Sequence, residues 1–254
     1  MKPKIRLLAK TTIWSAFATA AYFSASSIVT ISLYQYKDLD IERYVQENLE
    51  QIIEEQEEKI GITYPAERPK IEYVLPEDYI FPGLLGLYND LEDTIYLPSG
   101  LLTKPKWDLG DFMVTITTFN NTADAKRILD HELTHFYCDK LKEKAWGKNY
   151  PDAFMPEEEL IANQLINEGI AEYVENTMDG EDEKAFPLEK WPSKIEDFSN
   201  QIIYQGGYAM VKPIIDKHKE KGIQFLLFNP PNEKELFKPK EYQERILNDI
   251  AKLQ

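Results

Sequence analysis

Residues 131–135 read His-Glu-Leu-Thr-His, within the longer stretch Ile128-Leu-Asp-His-Glu-Leu-Thr-His-Phe136. On a helix, positions four residues apart share one face, so His131 and His135 can direct their imidazole nitrogens to one cation. Glu132 is rotated by roughly 100° from His131, where it can border an open coordination position as a general base. Apolar neighbours would turn the motif towards the protein interior: Ile128, Leu129, Leu133 and Phe136. The stretch therefore predicts a buried helix that carries a zinc site.

Patterns on both sides of the motif predict an α+β fold. Residues 70–75 alternate as a strand does, and residues 85–88 and 94–97 flank the turn residues 89–93, which is typical of a β-hairpin. Apolar residues recur at helical spacing in four further segments: 40–60, 157–179, 196–221 and 239–253. We therefore expect a small mixed or antiparallel sheet packed on the motif helix, followed by a mostly helical C-terminal part.

A catalytic zinc ion needs a third protein ligand. The chain has three histidines, and the third, His218, lies in the charged run Asp216-Lys-His-Lys-Glu220, which is typical of a solvent-exposed surface. The extended metzincin pattern fails as well, because Cys138 and Leu141 stand where its glycine and its third histidine would be. A carboxylate is therefore the expected third ligand.

The segment Ile166-Asn-Glu168-Gly-Ile-Ala-Glu172-Tyr173 resembles the ligand helix of gluzincin metallopeptidases, the clan of the thermolysin-like and aminopeptidase N-like enzymes. This resemblance implies that Glu168 is the third zinc ligand and that Glu172 accepts a hydrogen bond from the first histidine. Glu168 also interrupts an otherwise apolar stretch, where an unpaired charge would be costly. The resemblance covers about residues 85–215 and implies a zincin-like fold.

Two weaker similarities to the same clan concern the substrate. Residues 86–97 resemble the hairpin that precedes the metal helix, and this implies that Thr94, Ile95 and Tyr96 could pair with an extended peptide substrate by edge addition. The segment Tyr204-Gln-Gly-Gly-Tyr208-Ala resembles the one whose tyrosine donates to the oxyanion. Tyr204 fits that role best, and Tyr208 is the alternative.

These residues together predict a peptidase that uses Zn²⁺, with Glu132 as general base and Tyr204 as oxyanion donor. No Gly-x-Met-Glu-Asn-like motif for a free substrate amine is found, so an endopeptidase is expected rather than an aminopeptidase. The alternative function is a catalytically inactive zinc-binding pseudopeptidase or an interaction module of the cell envelope.

The N-terminal segment, residues 1–36, predicts contact with a membrane. Residues 11–34 carry no charge and form a run of 24 residues, long enough to span a bilayer as a helix. Basic residues precede the run, which places the rest of the chain outside the cytoplasm: Lys2, Lys4, Arg6 and Lys10. We expect an uncleaved anchor, and secretion after cleavage near Ala20 or Ala25 is the alternative. Residues 37–254 would then form the metallopeptidase-like domain.

The net charge of −15 argues against nucleic acid as a partner. Nucleic-acid-binding proteins need a basic face to meet the phosphates, and residues 37–254 are still more acidic than the whole chain because the N-terminal segment carries only basic charges. The expected partners are therefore a peptide or protein substrate and, through residues 1–36, a membrane.

Overall fold

The computed structural model describes residues 42–74, 86–98, 122–147, 155–180 and 186–253. The predicted membrane segment, residues 1–36, lies outside these ranges. Within them, none of the helices combines the length and hydrophobicity that crossing a bilayer requires.

The described chain is mostly helical, with one small sheet. A first helix, α1, covers residues 42–60. The strands are β1 (Lys70–Val74), β2 (Leu87–Asn89) and β3 (Thr94–Pro98). The longer helices that follow are α2 (Thr122–Trp146), α3 (Glu157–Asp179), α4 (Gly207–Phe228) and α6 (Pro239–Lys252), with the short α5 (Glu233–Leu236) before the last. The α+β class expected from the sequence is confirmed.

The sheet has the strand order β1-β3-β2 and is mixed. β1 runs parallel to β3, and β2 runs antiparallel to β3 as the first arm of the predicted hairpin. β3 is therefore the central strand, and Ile95 and Leu97 on it are almost fully buried. β2 lies beside α2, so the hairpin reaches the helix that carries the histidine motif.

Three helices form the centre of the molecule, with α3 packed against both α2 and α4. α2 buries Leu129, Leu133 and Phe136, which share one face at helical spacing. α3 is enclosed by neighbours and buries a broad apolar surface: Leu165, Ile166, Ile170, Tyr173 and Val174. The helix ends at Gly180, whose φ of 70° gives the left-handed conformation usual after a helix C-terminus.

The segment predicted as one helix over residues 196–221 is divided in the structure. Its start is a separate 3-10 turn, Ile195–Asp197. The continuous helix begins only at residue 200, with a wide π-helical turn, Ile202–Gly206, which continues into α4. α4 itself is broken at Lys219, where φ is 51°. The apolar spacing predicted the helical conformation, but neither interruption changes that spacing enough to be seen in the sequence.

Candidate metal centre

The structure brings His131, His135 and Glu168 together where α2 and α3 pack. The Nε2 atoms of His131 and His135 lie 3.2 Å and 3.4 Å from the same carboxylate oxygen of Glu168, Oε2. The two imidazole rings are 4.8 Å apart between their centres. One turn of α2 therefore presents both rings to a single glutamate of α3.

These three side chains have the donor chemistry of a catalytic zinc site. Two imidazole nitrogens and one carboxylate oxygen, all within 4.8 Å of one another, could hold a metal ion, and they are the donor types of His₂Glu zinc sites, which leave a position for water or substrate. They open into a cavity of about 430 Å³. His131 is 9% exposed, so the site is largely shielded yet reachable.

Glu175 is the acid that orients the first histidine. Its Oε2 lies 2.9 Å from Nδ1 of His131, while the other ring nitrogen faces Glu168. The sequence-based assignment of this bond to Glu172 is therefore wrong. Glu175 lies about two turns after Glu168 on α3, a rise of about 10 Å. Glu172 lies close by, with a carboxylate oxygen within 4.8 Å of a His131 nitrogen.

Glu132 faces the same cavity and is held by the edge of the sheet. Its Oε2 accepts a hydrogen bond of 2.8 Å from the backbone N–H of Tyr88 in β2. Gly86 makes room for this approach, because a Cβ there would lie 2.9 Å from Glu132 Oε1 and 2.5 Å from Ile128. Burial raises the pKa of Glu132, and the two histidines oppose that effect. The carboxylate of Glu132, the predicted general base, is thus held in place beside the predicted zinc ligands.

Tyr204, and not Tyr208, lies at the site. Its ring stacks near that of His131, with 6.1 Å between centres and 26° between planes. Burial, nearby carboxylates and a hydrogen bond with Glu168 raise the pKa of its hydroxyl group. Tyr208 is 2% exposed and packs against Tyr173. The π-helical turn around Tyr204 is of a kind often found at functional sites.

Electrostatics couple the histidine pair tightly to the acids of α3. Burial lowers the pKa of His131, but hydrogen bonds with Glu168 and Glu175 outweigh it and raise the pKa to about 10. Burial raises the pKa of Glu168, and the two histidines more than reverse this, holding it well below its usual range. The two carboxylates of α3 therefore favour the protonated form of the His131 ring.

Thr94, Ile95 and Tyr96 are not a substrate edge, and this expectation was wrong. They belong to β3, which is paired with β1 on one side and β2 on the other, and Thr94 is 2% exposed. The hairpin was recognised from its turn, but the parallel pairing with residues 70–74 leaves no trace in local sequence. The strand that borders the cavity is β2, through Leu87 and Tyr88.

The far end of the cavity carries charged side chains that sequence reasoning had not assigned. Asp93, Asp139 and Glu143 lie close together there. Lys140 compensates two of them, with its Nζ 2.6 Å from Asp93 and 2.7 Å from Glu143. This end of the cavity is therefore an ion-pair network beside the candidate metal centre.

Comparison with known proteins gave no match to a protein-family model, a curated protein or a solved structure. What the site can do is therefore inferred from its own residues.

Proposed function

We propose that the chain is a zinc-dependent peptidase of the gluzincin kind, with a zincin-like catalytic core. The observation that carries the proposal is the shared Glu168 oxygen, 3.2 Å and 3.4 Å from the Nε2 atoms of His131 and His135. Three independent ligand atoms converge, although Glu168 lies on a different helix from the two histidines. A carboxylate can lie beside an imidazole pair without any metal. The proposal therefore also depends on the groups that surround His131, His135 and Glu168.

Those groups match what hydrolysis of a peptide bond requires. His131, His135 and Glu168 would hold the zinc ion, which when bound supplies a Lewis acid for the scissile carbonyl and acidifies an attacking water. Glu132 would accept the proton of that water and return it to the leaving amine. Tyr204 would donate its hydroxyl hydrogen to the developing oxyanion. Glu175 would keep the His131 ring in the orientation that points Nε2 at the site.

We infer that the substrate is an extended peptide laid along β2. Within the described residues, β2 pairs only with β3. The N–H of Tyr88 is bonded to Glu132, so a substrate strand beside β2 would have to displace that hydrogen bond or pair through other backbone groups of the edge. An endopeptidase fits this edge better than an aminopeptidase, because the motif that would bind a free amine is missing from the sequence. Residues 1–36 would place the reaction outside the cytoplasm, at a membrane or after secretion.

Replacement of the base tests the proposal. Glu132→Gln should retain stoichiometric zinc and lose hydrolysis of a peptide library by about 10²-fold or more, because the substitution removes only the proton acceptor. Glu159→Gln, at an exposed position on the ligand helix, is the matched control and should keep both. Wild-type protein without zinc, or a Glu132→Gln variant with normal cleavage, would contradict the proposal. Zinc without any hydrolysis would favour the pseudopeptidase alternative.

A further inference from the structure

Glu175 uses its two carboxylate oxygens for two different partners. Oε2 faces Nδ1 of His131 at 2.9 Å, and Oε1 accepts a hydrogen bond from Nε of Arg127. Arg127 lies one turn before His131 on α2, so both partners reach the glutamate from the same face of that helix. Asp179, one turn after Glu175 on α3, lies 3.7 Å from the same Nε.

The burial of these groups shows why the arginine matters. The side chain of Glu175 is only 9% exposed, whereas that of Arg127 is 44% exposed. A buried carboxylate needs a compensating charge and satisfied hydrogen bonds. A metal-bound imidazole contributes no charge of its own. If His131 is neutral, Arg127 is the positively charged side chain within ion-pair distance of Glu175 among the described residues.

We propose that Arg127 is a positioning residue, which anchors Glu175 so that this carboxylate holds the His131 ring with Nε2 turned to Glu168. Arginine suits the role, because its guanidinium group has fixed donor directions and fixes an oxygen partner more firmly than an ammonium group does. The inference rests on the proposed zinc function, and it extends the site to a residue that touches neither ligand position nor substrate.

A double-mutant cycle on zinc affinity tests the inference. The full 254-residue chain is stripped of metal, and its affinity for zinc is measured by competition with a chromophoric chelator, for the wild type, Arg127→Gln, Glu175→Gln and the double variant. Loss of such a supporting contact typically weakens metal binding about 10- to 100-fold. We expect Arg127→Gln to weaken binding by about 10-fold in the wild-type background and to have no further effect when Glu175 is already glutamine.

Arg245→Gln is the matched control, because Arg245 also pairs with a partly buried glutamate, Glu235, in the C-terminal part of the chain. It should leave zinc affinity unchanged. Arg127→Lys should rescue part of the affinity, since it keeps the charge, and it replaces Arg127→Gln in the cycle if the latter does not fold.

The outcomes separate this inference from the function on which it rests. If the wild-type chain binds no zinc, the proposed function itself fails. If the wild type binds zinc and the Arg127 variant binds it equally well, the inference is overturned and the function stands. An equal loss of affinity in the Glu175→Gln background would also overturn it, because Arg127 would then not act through Glu175.

Discussion

His131 is the central residue of the candidate metal centre, because each of its two ring nitrogens faces a carboxylate. Nδ1 faces Glu175 and Nε2 faces Glu168. Carboxylates on both sides favour a ring that donates from both nitrogens and carries a positive charge, and they raise its pKa. In the proposed zinc site, the metal would compete for Nε2 with the proton that Glu168 favours, and Nδ1–H could stay on Glu175 throughout.

Zinc binding should accordingly release a proton near neutral pH. The pKa of His131 is raised to about 10 in the metal-free protein, so the ring is protonated below that pH, whereas a ligand imidazole must be neutral. Calorimetric titration with zinc in two buffers of different ionisation enthalpy should show binding heats that differ by about the difference between those two enthalpies, as expected for one released proton. Heats that do not depend on the buffer would contradict the protonated state of His131.

At this scale, the sequence predicted which side chains meet at the candidate centre better than it predicted the residues that orient them. That His131, Glu132 and His135 lie together follows from helical geometry within five residues, and Glu168 was found from a local resemblance. Which carboxylate of α3 meets Nδ1 of His131 depends on the offset between α2 and α3 along their axes. That offset is set by packing between residues more than 30 positions apart, so Glu175 and Arg127 could not be read from either helix alone.

Two glycines set the distance between α3 and the turn that carries Tyr204. A Cβ on Gly169 would lie 2.4 Å from the backbone of Gly207, and a Cβ on Gly207 would lie 2.4 Å from the backbone oxygen of Leu165. Both contacts are with main chain, which cannot rotate away. Glu168 immediately precedes Gly169, so this close crossing brings Tyr204 to Glu168.

Gly207→Ala should destabilise the protein by about 1–3 kcal/mol or more, because the added methyl group forces the two backbones apart. Urea unfolding measures the loss. Gly206→Ala is the matched control next in sequence, since its Cβ would meet the ring of Trp191 at 2.9 Å and not a backbone atom. Gly206→Ala should lower the free energy of unfolding by less than Gly207→Ala does. Equal stability of Gly207→Ala and wild type would contradict the crossing.

The strands show the limit of sequence reasoning for whole elements. The turn at residues 89–93 correctly predicted a hairpin between residues 85–88 and 94–97, and the structure has its strands at Leu87–Asn89 and Thr94–Pro98. Local sequence predicted β1 as a strand but not its neighbour, and the parallel pairing of β1 with β3 leaves β3 paired on both sides. Parallel pairs are joined by long connections whose register leaves no local signal, so the sequence could not show that Thr94, Ile95 and Tyr96 have no free edge.

Across the whole molecule, the candidate centre joins parts of the chain that are far apart in sequence. α2 provides His131, His135 and Glu132, α3 provides Glu168 and Glu175, the turn before α4 provides Tyr204, and β2 donates a hydrogen bond to Glu132. A metal ion bound by α2 and α3 would therefore brace the centre of the helical core.

Removal of zinc should lower the thermal stability of the entire fold. A ligand that binds only the folded state, at a free concentration 100 times its dissociation constant, stabilises by about 2.7 kcal/mol. In a domain of this size that corresponds to a Tm difference of about 5–10 °C between zinc-loaded and chelator-treated protein. Differential scanning calorimetry should show the shift for the wild type and for Glu132→Gln, which keeps all three ligands. Glu168→Gln should lose most of it, and a Tm insensitive to zinc in the wild type would show that no ion bridges α2 and α3.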